Sequence, residues 1–378
     1  MFKGSIAIFT WGLSGGAITN IVAALTRGFT ELGVAKIFII YIKDAPPEQR
    51  VDFPPSVESI KLGVKQARWS IFAIAKLLHQ IEPDYFISMG FLNIPAILGY
   101  LLAGKLKTKL IISQQNSLLY QANVEHRGNW LIESQLWLVP WLYSRVDGLV
   151  ATTNSVLKEL LVELKVNLPP DRTIAIPNLV DIERVALKAQ ACSEHPWLDR
   201  KDRPVIVSIG RLAKQKNFPL LIEAFNIVCQ KLDARLIILG RGEEQDRLQA
   251  KITQLGLSDK VSFPGFTNNP WSYLAKADLF ALSSEEEAFG LVLVEAMACG
   301  VPIVATDAMG DGPRSILDNG NYGYLVENHN VDAFAAAMEE LLTSSQQRKH
   351  FIAAGKERCK IYRPEAIAQQ WLDFLMEL

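Results

Sequence analysis

No C-x-x-C pair occurs in the chain, and its four cysteines (Cys192, Cys229, Cys299 and Cys359) lie far apart. Such spacing suggests neither a zinc site nor a disulfide framework, and a reduced cytosol is the simpler setting. An excess of one charge is also missing: 39 Lys and Arg meet 40 Asp and Glu, a formal net charge of −1. That balance gives no bulk attraction to nucleic acid. Low-complexity segments and short-period repeats are absent from the sequence. The opening stretch MFKGSIAIFTW carries an apolar run too short for a signal peptide. The longest uncharged run, 85–104, is interrupted by Gly90, Asn93 and Pro95. It reads as a strand, a turn and a buried helix, so no membrane span is expected.

What is there has the balance of a soluble globular protein, with 49% hydrophobic and 21% charged residues over 378 positions. That length exceeds one ordinary core, so two domains are the default. Short apolar or β-branched runs recur at 5–10, 36–42, 85–89, 109–113, 148–152 and 173–177. Segments of helical spacing lie between them, such as 18–32, stopped by Gly33, and 69–80. The rhythm repeats at 203–210, 234–240, 260–265, 278–283, 301–306 and 322–326. Continuous apolar strands alternating with helices predict parallel sheets covered on both faces, hence two doubly wound α/β domains. The charged stretch 181–204 contains Pro196 and Pro204 and no strand pattern, so the hinge is expected there.

In open parallel sheets, ligands sit beyond the carboxyl ends of the strands, where helix N-termini present free N–H groups. Three segments of the second half fit that position. SIGRLAKQKNFPLLIEAF places Arg211 and Lys216 between a strand ending at Gly210 and a helix expected to start at Asn217, a good N-cap. Two cations beside a helix start could hold a diphosphate; two solvated surface cations is the plain alternative. ILGRGEEQ imitates a dinucleotide fingerprint, but Gln245 stands where a third glycine belongs and Asp259 precedes the next strand. A tight turn into a helix is the simpler reading. In SSEEEAFGLVLVEAMACG, Ser284 to Glu287 spells a capping box, yet a helix from Ser284 would carry Gly290 in its interior. A loop ending near Gly290, followed by a helix from Leu291 that stops at Gly300, suits the glycines better. Glu287 then lies in the approach loop and Glu295 in the second helical turn. The N–H groups of Gly290, Leu291 and Val292 point at whatever the two acids flank.

SSEEEAFGLVLVEAMACG resembles the signature of the family 4 retaining glycosyltransferases, and SIGRLAKQKN their phosphate-binding segment. The resemblance extends to SGGAITNIVAALTRGFTELG, IPNLVD, GPRSILDNGNYGYLVENHN and the final PEAIAQQWLDFLMEL, in the family's order. It implies the GT-B fold, two Rossmann-like doubly wound parallel-sheet domains facing across a cleft. The implied boundaries are 1–185 for an acceptor domain, 200–362 for a nucleotide-sugar domain, and 363–378 for a helix crossing back. The implied reaction moves a hexose or N-acetylhexosamine from a nucleotide-sugar, taken as UDP-linked, to a hydroxyl of a saccharide or lipid-linked saccharide, with retention. Glu287 would bind the donor sugar and Glu295 the ribose hydroxyls. Arg211 and Lys216, with backbone N–H groups at Gly290, Leu291 and Val292, would neutralise the departing diphosphate. Gly15 and Gly16 would let the N-terminal domain approach the phosphates or the acceptor, and Phe266 would lie against the base. No cofactor and no metal is expected, and the sequence has no Asp-x-Asp motif.

The chain departs from the family at Leu179 of IPNLVD, where a glycine is usual, and at one further point. Where a histidine is usual after the fourth N-terminal strand, SQQNS places Gln115, with His126 the nearby substitute. An amide can hold a sugar but cannot titrate. A catalytically silent nucleotide-sugar-binding module is therefore one rival reading, and a nucleotide-dependent dehydrogenase, suggested only by GRG, is another. For the acceptor, NWLIESQLWLVPWLYSR carries Trp130, Trp137, Trp141 and Tyr143 among leucines, with Lys61, Lys65 and Arg68 preceding Trp69. Interfacial aromatics of this kind suit a membrane surface, and a buried helix is the alternative. A cytoplasmic protein touching the inner face of the membrane is the resulting expectation.

Overall fold

The computed structural model describes residues 2–14, 16–46, 50–90, 92–193, 195–199 and 202–378. The chain divides into two compact units, one formed by Met1–Leu179 with Tyr362–Leu378 and the other by Val180–Ile361.

Among the described residues, the first unit holds a seven-stranded sheet of order β3-β2-β1-β4-β5-β6-β7, parallel throughout. The strands are β1 (Ser5–Gly12), β2 (Lys36–Lys43), β3 (Val57–Lys61), β4 (Tyr85–Met89), β5 (Lys109–Gln114), β6 (Gly148–Ala151) and β7 (Thr173–Ala175). Ile6, Ile8, Phe86, Ile111 and Leu149 are fully buried, as strands covered on both faces require. Six of the seven were legible as apolar runs. The exception, β3, is an edge strand of sequence VESIK with no buried residue, so it carries no continuous apolar signal. Helix Ala17–Glu31 follows β1, and the final helix Pro364–Glu377 packs against it, burying Ile367, Trp371, Leu372 and Leu375.

The second unit repeats the plan with six parallel strands in the order β10-β9-β8-β11-β12-β13. They are β8 (Val205–Ile209), β9 (Arg235–Leu239), β10 (Val261–Gly265), β11 (Leu279–Leu282), β12 (Ile303–Thr306) and β13 (Tyr324–Val326). The sequence order reverses between β8 and β11, which pair directly. In an open parallel sheet such a reversal of strand order marks where a ligand binds, beyond the carboxyl ends of the strands.

The structure corrects two expectations and bears out the plain turn into a helix at Gly240 and Gly242. The stretch 181–204 is not a hinge outside both domains. Asp181 caps helix Ile182–Ala189 by accepting from the Arg184 N–H at 2.9 Å, and that helix packs on helix Leu291–Ala298 within the second unit. The boundary therefore falls at Leu179, not at 185. Asn217 does precede helix Phe218–Cys229, but it is left-handed (φ +43°) and its side chain makes no capping bond. Glycines 240 and 242 are not arranged for a dinucleotide. A Cβ on Gly240 would lie 1.9 Å from the Gly210 carbonyl oxygen, and one on Gly242 2.3 Å from that of Leu212. The bare backbone is pressed against the protein's own chain, so no pyrophosphate is the reason for these glycines.

Gly240→Ala should lower stability by roughly 2–4 kcal/mol, the scale of a backbone clash together with a strained φ. A melting temperature matching that of the wild type would show the contact is not needed.

Candidate functional site

In the second unit, the loop after β8 carries Arg211 and Lys216, and the loop after β11 carries Glu285, Glu286 and Glu287. Backbone and side-chain hydrogen bonds stitch the two loops together. The Glu285 N–H donates to the Gln215 carbonyl at 2.8 Å, and the Ser283 hydroxyl to the Lys216 carbonyl at 2.8 Å. Gln215 Nε2 donates to the Glu286 carbonyl at 3.2 Å and to its carboxylate at 2.5 Å. Across this seam Lys216 Nζ is ion-paired with Glu287 Oε2, both side chains largely buried. Ser284 Oγ donates to the same carboxylate oxygen at 3.2 Å. The spacing that suggested a capping box thus reflects a real Ser284–Glu287 contact, made in a loop rather than at a helix start.

Gly290 ends the loop in the left-handed region (φ +94°), and helix Leu291–Ala298 begins immediately after it. A Cβ there would stand 3.2 Å from both Glu287 Cγ and Leu293 Cδ1, so a larger residue would disturb the Glu287 side chain. Free N–H groups of the first helical turn at Leu291 and Val292 therefore open beside the Lys216–Glu287 pair, a ready-made anion position. Arg211 is exposed in the loop after β8. Phe266, 62% exposed, follows β10 on the same carboxyl side of the sheet.

Glu295 lies one turn further along the helix, half-buried beside Trp271. Burial pushes its carboxyl up to about 7, which the neighbouring Trp271 indole opposes weakly. Cys299, one turn on, is raised to about 12 by burial and then by the Glu295 charge, so it stays a neutral thiol. Beyond the Trp271 indole, the buried Glu295 carboxylate would gain from further hydrogen-bond donors as an anion. A ligand bringing hydroxyl groups could supply them. Among the described residues, no group of three or more His, Cys, Asp or Glu side chains is placed to hold a metal ion.

The remaining expected positions belong to the first unit. Gly16 precedes helix Ala17–Glu31 in an extended conformation, and its carbonyl accepts from the Asn20 N–H. Gly15 lies outside the described residues. Gln115 follows β5 and is only 6% exposed, with Nε2 donating to Ser113 Oγ at 2.8 Å and Oε1 without a partner. Its neighbour Gln114 is fully engaged, accepting from Tyr143 OH at 3.0 Å and from Asn93 Nδ2 at 3.2 Å. His126 is exposed and does not line the pocket that Gln115 lines. Glu159, invisible from sequence because no motif sets it apart from Glu163 on the same segment, holds this loop in place. Its carboxylate accepts from the Ser117 hydroxyl and from the Leu118 and Leu119 N–H groups, at 2.7 and 3.2 Å for the latter two.

Two Rossmann-like sheets with a helix-opening glycine loop at the second switch point define the GT-B class, and comparison with known proteins makes the class specific. Residues 15–184 match Glycosyltransferase Family 4 and residues 194–358 match Glycosyl transferases group 1, so the chain belongs to this glycosyltransferase family. A relative is the N-acetylgalactosamine-N,N'-diacetylbacillosaminyl-diphospho-undecaprenol 4-alpha-N-acetylgalactosaminyltransferase of Campylobacter jejuni. It is 32% identical over 272 residues, covering 71% of this chain and 70% of that one. The N-acetyl-alpha-D-glucosaminyl L-malate synthase of Bacillus anthracis is 29% identical, covering 60% and 58%. Among solved structures, Anabaena HepE in complex with UDP and glucose superposes with a TM-score of 0.78 at 19% identity, covering 100% of both chains.

The raised Glu295 pKa sets a pH dependence of stability. The folded state holds this proton more tightly than the unfolded chain does. The carboxyl therefore costs nothing below the unfolded value near 4.5, and its penalty grows as pH rises to about 7. Glu295→Gln should accordingly stabilise the protein at pH 8 by roughly 1–3 kcal/mol, with little effect at pH 4.5. Melting curves across that range check it; an equal shift at both ends would contradict the assignment.

Proposed function

We propose that the protein is a retaining glycosyltransferase that moves a hexose or N-acetylhexosamine from a UDP-sugar to a hydroxyl of a saccharide or lipid-linked saccharide. The observation carrying this is the Lys216–Glu287 pair set against the open N-terminus of helix Leu291–Ala298. Anionic phosphates suit the helix start and the cations of the loop after β8, and sugar hydroxyls suit the carboxylates on either side. Relatives named for glycosyl transfer and neighbours crystallised with UDP support the same choice.

In this reading the bond from the sugar's anomeric carbon to the phosphate oxygen breaks, and the anomeric carbon bonds to the acceptor oxygen on the same face. The acceptor proton passes to the departing phosphate oxygen, and UDP leaves. Charge builds on the diphosphate, where Arg211, Lys216 and the N–H groups of Gly290, Leu291 and Val292 stabilise it without reorganising. Glu287 orients the donor sugar, Glu295 the ribose, and Phe266 stacks on the base. Gln115 supplies a hydrogen bond that does not change with pH, where an imidazole would titrate.

A membrane-facing acceptor is favoured by one observation. Helix Trp130–Tyr143 buries Val139, Leu142 and Tyr143 but leaves Trp130, Trp137 and Trp141 exposed, Trp137 by 86%. Trp69 and Phe72 are also exposed, at the start of helix Ser70–Ile81. Together these belong to one series of helices in the first unit, since helix Asn93–Ala103 packs on both. No helix among the described residues is long and apolar enough to cross a membrane. Peripheral contact through this aromatic surface is the proposed mode, and Trp137→Ser with Trp141→Ser should weaken sedimentation with anionic vesicles about tenfold. Unchanged sedimentation would remove the membrane from this account.

A thermal-shift screen against UDP-, GDP- and ADP-sugars tests the donor, with UDP expected to give the largest shift. Arg211→Ala should lower turnover about 100-fold while the protein still folds, the cost of losing one preorganised donor to the transition state. Glu295→Ala should weaken UDP itself, whereas Glu287→Ala should spare UDP and impair the UDP-sugar. Binding without transfer or donor hydrolysis would favour the silent binding module instead.

A further inference from the structure

The first unit contains a pocket of about 70 Å³ between the loop after β5 and helix Trp130–Tyr143. Six carboxamides line it: Asn93, Gln114, Gln115, Asn116, Gln121 and Gln135. Ile94, Leu136 and Val139 form an apolar wall, and among the described residues no Asp, Glu, Lys, Arg or His side chain contributes to the lining. Asn93 and Gln114 are bound to each other and to Ser88 and Tyr143, and so shape the wall. Gln115 is different. Its amide is buried, one end meets Ser113, and the other has no partner. Turning the amide over exchanges the two ends and still leaves one unmatched. A buried polar atom without a partner is costly unless a ligand completes it.

The missing ligand group can be read from this lining. Charged substituents would enter a space with no counter-charge. A bare hydroxyl would satisfy Gln115 but leave the apolar wall in contact with water. A planar neutral group that both donates and accepts, and ends in a methyl, matches all three features.

We propose that this pocket receives the acetamido substituent of an N-acetylated sugar, an inference that rests on the glycosyltransferase reading. The ligand N–H and carbonyl pair with Gln115 and the facing carboxamides, and the methyl lies against Leu136 and Val139. Either the donor sugar or the acceptor sugar could carry the group.

Saturation-transfer NMR and calorimetry on the intact protein distinguish the two sources. One arm compares UDP-N-acetylglucosamine with UDP-glucose. The other compares methyl N-acetyl-α-glucosaminide with methyl α-glucoside in the presence of UDP. In one arm the acetyl methyl protons should take the strongest saturation, and the acetylated compound should bind about tenfold more tightly, the scale of one hydrogen bond with its apolar contact. Preference in the first arm assigns the pocket to the donor, and preference in the second to the acceptor. Gln115→Leu should abolish the preference. So should Leu136→Trp, which fills the pocket from the helix, and this variant should keep the wild-type affinity for UDP. Gln135→Leu, on an exposed face of the same helix, provides a variant with little risk to folding and should reduce the preference. Equal affinities within both pairs while UDP still binds would overturn the pocket assignment alone. Preference that survives Gln115→Leu and Leu136→Trp would do the same. Failure to bind UDP would instead overturn the reading on which the assignment rests.

Discussion

The direct pairing of β8 with β11 is the constraint on which the second unit's chemistry depends. These strands are distant in sequence, so their following loops come from unrelated segments, and nothing local obliges them to meet. The sheet brings their ends together, and hydrogen bonds from the Glu285 N–H to Gln215 and from the Ser283 hydroxyl to Lys216 then fix the register of one loop on the other. Only after that can Lys216 neutralise Glu287 at short range. The ion pair is therefore a product of the fold rather than a support for it. A pair this shielded would cost desolvation without return if its only task were stability.

Much of this was legible in the amino-acid order. Continuous apolar runs located twelve strands because strands buried on both faces cannot alternate. Gly290 marked the helix start at Leu291 because an interior glycine there would be unfavourable. Less was visible where meaning depends on distant partners. Edge strand β3 is half polar and reads as loop. Asn217 looked like a side-chain cap, but its backbone already makes the turn. Glu159 has no motif at all, since its task is to accept hydrogen bonds from residues some forty positions earlier. Gln114 and Gln115 are indistinguishable as letters. Burial saturates one with hydrogen bonds and leaves the other incomplete.

The two units also handle polarity differently. Around Lys216 and Glu287, opposite charges are held close and partly shielded. Around Gln115, six carboxamides and the Tyr143 hydroxyl supply the polar lining, with no formal charge among the described residues. A charged wall gains strength from low dielectric but must be neutralised, whereas an amide wall offers direction without field. The first suits recognition of an ionised group, and the second suits discrimination among neutral ones.

The final helix, Pro364–Glu377, belongs to the first unit although the whole second unit intervenes in the chain. During synthesis, helix Ala17–Glu31 therefore leaves the ribosome long before the surface that covers it exists. Its apolar face must stay exposed, or be shielded by a chaperone, until residues 364–377 have been made. The first unit is begun before the second and finished after it, so a ribosome that stalls within the second unit leaves behind a first unit with an open seam.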